Sequence, residues 1–153
     1  MASGQWTSGP ASKTTTATTA FTLVLMKAGT ATGFEAISWE FSTDGALVGN
    51  YKIELCQGTA ATAGTPGATP TAIGTGQSRA SSSLAFSGSV GNAYSAEPTV
   101  LTPIDQIWLP AGALYRFPLG ERQYVPPGTT FSIRVTPPGT TSSVCTAQLF
   151  VED

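Results

Sequence analysis

The groups that could do acid–base or metal chemistry in this 153-residue chain are nine carboxylates, seven Lys and Arg side chains and two thiols; histidine is absent. Its absence removes the commonest general base, the Ser-His-Asp and Cys-His nucleophile arrangements, and most transition-metal sites. Two carboxylates facing one sugar could in principle hydrolyse a glycosidic bond. The acids here are Glu35, Glu40, Asp44, Glu54, Glu97, Asp105, Glu121, Glu152 and Asp153, scattered along the chain and read as solvated surface groups. Glu40 and Glu54 fall on strand faces expected to be wet. Asp44-Gly45 has the form of a turn and not of a calcium loop. No Gly-x-Ser-x-Gly elbow, Walker loop or dinucleotide fingerprint occurs, and residues 87–91 form only a Ser/Gly-rich loop. The expectation is a protein that is not an enzyme and carries no cofactor and no metal.

Cys56 and Cys145 could pair only if both pointed the same way. Strand alternation sets Tyr51, Ile53 and Leu55 on one face and Cys56 with Lys52 and Glu54 on the other. Cys145 instead falls in the apolar set with Ala147, Leu149 and Val151. One thiol is expected to face in and the other out, so two free thiols are expected, as suits a reducing cytoplasm.

The elements that position these groups are strands. Seventeen glycines and eleven prolines punctuate the chain, and only 10% of residues are charged, against about 25% in ordinary domains. Ile37, Trp39 and Phe41 alternate with Ser38, Glu40 and Ser42, and residues 131–136 repeat the pattern. Such alternation marks strands with one buried and one wet face. Further strands are expected at residues 20–27, 51–56, 70–74, 82–86, 99–109, 113–119 and 143–152. The turns between them are carried by Asp44-Gly45, Ala111-Gly112, Pro127-Gly128 and Pro138-Gly139, and no helical period is sustained. The spacing predicts an all-β antiparallel sandwich as a single domain over residues 20–153. Residues 58–69 read as a long exposed loop.

Residues 1–19 are a Ser/Thr/Ala/Gly stretch with one aromatic, Trp6. They read either as a flexible tail or as an extended arm that orders on a neighbouring subunit with Trp6 as its anchor. No secretion signal is expected in residues 1–13. The longest strongly apolar run, residues 21–26, is too short to cross a bilayer, and no membrane partner is expected. That run carries apolar residues on both faces, Phe21, Leu23 and Leu25 against Val24 and Met26, which favours an oligomer. Residues 104–110 do the same, so Trp108 is expected either in a central strand or under another subunit. The net charge of −2 comes with no basic cluster, which excludes the usual nucleic-acid footprint. Trp39 is expected in the core. Arg116 and Arg134, isolated on alternating strands, are candidates to pair with acids such as Glu121 across the sheet or a subunit boundary.

The order of motifs in the second half adds a resemblance. The chain runs through Pro118-Leu119-Gly120-Glu121, Val125-Pro126-Pro127-Gly128 and Ile133-Arg134-Val135-Thr136-Pro137, to a last strand ending in acid. Earlier it carries Trp39-Glu40-Phe41 before Asp44-Gly45. This order resembles the decoration (cement) and head-associated structural proteins of tailed phages, over residues 20–153. The resemblance implies a jelly-roll-like sandwich with an extended N-terminal arm, made in the host cytoplasm and seated on the outer surface of the virion's capsid, often as a homotrimer. The implied partners are the major capsid protein and further copies of the chain itself. Candidate subunit or capsid contacts are then Trp6, Phe21, Leu23, Trp108, Arg116 and Arg134. The alternative is a carbohydrate-binding or adhesion module, fibre- or tail-associated, with Trp108, Tyr115 or Tyr94 as sugar platforms.

Overall fold

The structure is a computed structural model that describes residues 5–59, 77–78, 88–98, 101–112 and 114–152. The strands expected at 70–74 and 82–86, and most of the loop expected at 58–69, lie outside the described residues. The described elements are strands only: β1 (Gln5–Thr7), β2 (Ala11–Thr15), β3 (Phe21–Lys27), β4 (Phe34–Thr43), β5 (Asn50–Thr59), β6 (Gln77–Ser78), β7 (Ser89–Asn92), β8 (Leu101–Pro110), β9 (Leu114–Val125), β10 (Thr129–Thr136) and β11 (Ser143–Glu152). They form two packed antiparallel sheets, a β-sandwich. The first sheet runs β6-β1-β11-β4-β9 with β2 also on β11; the second runs β7-β3-β10-β5-β8.

The core lies between the sheets. Cys145, Ala147, Leu149 and Val151 of β11 and Trp39 and Phe41 of β4 meet Tyr51, Ile53 and Leu55 of β5 and Phe131, Ile133 and Val135 of β10. All are inward positions of alternating strands, and on β5 and β10 the outward Glu54, Cys56, Thr130 and Ser132 are buried as well.

Bulges decide which residues reach that core. Ile133 pairs with Val24 but Arg134 pairs with Thr22, so β3 carries one extra residue, Leu23. The irregularity turns Phe21 and Leu23 inward together with Val24 and Met26. Of the second apolar face expected of this strand only Leu25 stays outside, in one row with Ser132 and Cys56, and at 3% exposure it leaves no open apolar face to support an oligomer. Phe21 and Leu23 are corrected from contact candidates to core residues for the same reason. A second bulge on β4, between Ala36 and Ser38, brings Phe34 and Ala36 into line with Trp39 and Phe41. Ile37, expected beside Trp39, is the residue set aside and stays half-exposed.

The N-terminal segment is extended, and its partner is its own chain. β1 pairs Trp6 with Val151, and β2 pairs Ala11 with Ala147 along the same flank of β11. Between them Gly9, at φ 70°, and Pro10 absorb one extra residue, and Ser8 keeps the ladder through Leu149. Trp6 is 2% exposed and belongs to the core. It is corrected from an intersubunit anchor to an internal one, because β11 offers a long free flank within the same chain. Replacing Trp6 with Ala is expected to cost about 3–5 kcal/mol in urea unfolding. A loss below about 1 kcal/mol would show that the segment is not part of the folded unit.

Candidate functional site

Asp44 closes the turn from β4 toward β5 and holds the start of β11. Its Oδ1 accepts from the Ala46 amide at 3.1 Å and the Ser143 hydroxyl at 2.9 Å, and its Oδ2 accepts from the Val144 amide at 2.9 Å. Ser143 in turn shares a 2.6 Å hydrogen bond with the buried Tyr51 hydroxyl. Backbone donation, first from Ala46 and then from Val144, holds the Asp44 carboxyl below the ordinary carboxylate range. Among the described residues no group of three or more Cys, Asp or Glu side chains could hold a metal ion. No described helix is long and apolar enough to cross a membrane.

Charge is gathered on the outer faces. On the first sheet Arg122 bridges Glu35 and Glu152, and Arg116 pairs with Glu40. Arg122 sits where β9 bulges opposite Ile37, between Pro118 and Gln123 in the ladder, a position with no signal in the sequence. On the second sheet Glu54 lies between Lys52, at 2.7 Å, and Arg134, at 3.6 Å, while Arg134 Nε lies 3.1 Å from Glu97. Glu97 also accepts from the amide and hydroxyl of Thr22, which fixes residues 93–97 along β3. Sequence reasoning counted Glu97 among the acids and gave it no role, because its partners are 75 residues away in the chain.

Glu54 does face outward, as alternation requires, but it is only 6% exposed. Its paired neighbours Lys52 and Arg134 close over it, so the expected wet carboxylate is a covered one. Cys56 follows on the same outer face and is fully buried, while Cys145 is in the core; both are free. Burial, reinforced by Glu54, pushes the Cys56 thiol up to about 12, and burial with Asp44 pushes Cys145 to about 12.

Of the contact candidates, three remain on the surface. Arg116 has 67% of its side chain exposed even while paired with Glu40, and Arg134 is partly covered inside its network. The partners are Glu40, Glu54 and Glu97; the side chain of Glu121 lies outside the described residues. Trp108 is 57% exposed. Among the described residues its strand is an edge strand and not a central one, since β8 pairs there with β5 alone. Leu109 turns inward and Ile107 packs against the core, leaving Trp108 and Ile104 outside. The other proposed platforms do not qualify: Tyr94 is buried, and Tyr115 packs on the core.

Among the described residues β9 is the matching edge of the first sheet, pairing with β4 alone. It exposes Leu114 at 66% and Tyr124 at 54% at its two ends, with Arg116 between them. The turn through Ala111 and Gly112 joins β8 to β9, so both open edges flank one side of the sandwich. Pro103 and Pro110 stand opposite Cys56 and Asn50, positions of one parity on β5. Having no N–H to give β5, they sit where β8 backbone faces the open edge, which removes two donors from it. Such an edge is poor at adding another strand and is available for side-chain contacts.

No protein-family model matches the chain, and no curated protein matches it. Among solved structures it is similar to the crystal structure of PirA, with a TM-score of 0.41 and 14% identity over 96% of this chain and 92% of that one. It is also similar to a chain in the structure of infectious bursal disease virus Gx strain, with a TM-score of 0.39 and 13% identity over 99% of this chain. The chain spans 32% of the length of that viral chain. At these scores the likeness carries no argument about function.

Two outcomes follow from the electrostatics. With both thiols pushed up to about 12, a thiol reagent at about pH 8 should label neither cysteine in the folded protein and both after denaturation; rapid labelling of a native thiol would contradict the burial. Because the folded Asp44 carboxyl is held below its unfolded value, its stabilisation is present above that value and is lost as pH falls. Asp44→Asn, which turns an amide donor toward the Val144 N–H, should therefore melt below wild type at neutral pH. The gap should narrow below about pH 4; a pH-independent gap would assign the loss to geometry and not to charge.

Proposed function

We propose that this chain is a structural virion protein without catalytic activity, a decoration (cement) protein on the outer surface of a tailed-phage head. The observation that carries the reading is a pair of long strands, β8 and β9, which lie on the same side of the sandwich and among the described residues each pair with one strand only. Long uncovered edge strands bearing apolar side chains are a liability in a free monomer, and they suit a protein whose working state is an assembly. Leu114, Tyr124 and Arg116 supply the contact strip on β9. The occupants are sister subunits of a homotrimer and the major capsid protein. Repetition over a symmetric shell multiplies each weak contact into strong retention.

The strand order supports the same reading. With β1, β6 and β7 set aside, β2-β11-β4-β9 faces β3-β10-β5-β8, the two four-stranded layers of a jelly roll. That architecture is shared by viral capsid and lectin domains and fixes neither function by itself. The motif order in residues 118–137 favours the capsid. A second reading, a carbohydrate-binding or adhesion module on a fibre or tail, is favoured by one observation, the exposed Trp108.

Purified protein should scatter light as a trimer and co-sediment with expanded heads of its source phage at saturating, symmetric occupancy. Leu114→Asp, which places a charge in the contact strip and leaves the core intact, should weaken that retention at least about tenfold. A monomer that binds no head of its source would overturn the proposal.

A further inference from the structure

The outer face of the second sheet brings Trp108 into register with polar side chains of β5 and β10. Side chains of one face meet across neighbouring strands in rows, about 4.8 Å apart between strands. Trp108 on β8 stands opposite Lys52 on β5 and next to Thr136 beyond it. One row down, Gln106 stands opposite Glu54, which stands opposite Arg134. An aromatic plane 57% exposed thus has one cationic side chain, Lys52, across from it and one exposed amide, Gln106, beside it, with Arg134 two strands away.

These polar groups are held in place before any ligand arrives. Glu54, almost wholly covered, takes Lys52 at 2.7 Å on one oxygen and Arg134 at 3.6 Å on the other. Arg134 is held a second time by Glu97 at 3.1 Å. Lys52 and Arg134 retain 28% and 31% side-chain exposure. The acids of the cluster are spent on holding the bases, and donors and aromatic surface are what the face presents.

Charge decides the class of ligand. Lys52 and Arg134 are balanced by Glu54 and Glu97 at the same place, so the face offers no net field to phosphate or to an anionic polymer. A flat aromatic ring beside fixed, charge-assisted hydrogen-bond donors matches a ligand with one apolar face and a rim of hydroxyls. We infer that the Trp108–Lys52–Gln106 face binds a neutral saccharide, with one sugar ring on the indole and its hydroxyls on Lys52 and Gln106. The site is on a sheet face, whereas the shell contacts are placed on the edges and on β9, so both can be occupied at once.

The probe is affinity electrophoresis of the intact protein in native gels cast with neutral polysaccharides, namely glycogen, laminarin, yeast mannan and galactomannan, with dextran sulfate as an anionic control. Retardation by at least one neutral polymer is expected, with no greater effect from dextran sulfate. Trp108→Ala should weaken it at least about tenfold, the scale for losing a central aromatic anchor. Trp108→Phe should recover part of it, and the melting temperature should stay at the wild-type value because the ring is mostly in solvent. Leu114→Asp should leave retardation intact while weakening head binding, which separates this inference from the shell proposal. No retardation in any neutral gel, or retardation that survives Trp108→Ala, would overturn it. So would a Trp108→Ala protein that loses head occupancy and binds no polysaccharide, since Trp108 would then be a protein contact.

Discussion

The rest of this structure depends on β11. Its ten residues place Cys145, Ala147, Leu149 and Val151 in the core, and both of its flanks are filled from within the chain. β4 takes one flank along almost its whole length, and β1 and β2 share the other. Asp44 and Ser143 fasten the strand at its start and reach Tyr51 in the opposite sheet. With β11 satisfied on both sides, the N-terminal segment cannot serve as a reaching arm without giving up that ladder and the burial of Trp6. Among the described residues the long strands paired on one side only are β8 and β9, on the other side of the sandwich. The proposed attachment is placed there for that reason.

Much of the fold was legible where the hydrophobic period ran unbroken. β10 and β11 alternate without interruption, and the expected span of 143–152 coincides with β11. The turn glycines were legible too, because Gly45, Gly112 and Gly128 occupy positive φ that other residues adopt only at a cost. The bulges were not, since an extra residue at Leu23 or Ile37 leaves composition unchanged and swaps faces for everything beyond it. β2 escaped notice for a different reason. Ala11-Ser12-Lys13-Thr14-Thr15 has little apolar signal of its own, and the ladder with β11 imposes its conformation. The prospective sites divide the same way. Trp108 could be singled out as an aromatic without a clear face, but its row with Lys52 and the next row of Gln106, Glu54 and Arg134 exist only through register across three strands.

The low charge content is also a matter of placement. Nine of the charged side chains are grouped into Arg122 with Glu35 and Glu152, Arg116 with Glu40, and the Lys52–Glu54–Arg134–Glu97 chain. Exposed pairs of this kind contribute only about 0–1 kcal/mol each, so their effect is on position more than on stability. They hold side chains in fixed places across both outer faces. The Ser and Thr hydroxyls around them, Ser12 with Thr146 for example, keep the remaining surface neutral. Such a surface repels little and attracts little over distance, which leaves recognition to short-range fit at the edges and at the Trp108 row.

The claim that attachment uses the β8–β9 side is tested most directly by amide hydrogen exchange of the protein free and bound to heads. Free protein should exchange slowly in β11 and its partners β1 and β2, and fast along the outward positions of β8 and β9. Binding should raise protection in residues 101–110 and 114–125 and leave residues 5–15 unchanged. Protection gained in residues 5–15, with β8 and β9 unaltered, would contradict the account and restore the N-terminal segment as the attaching element.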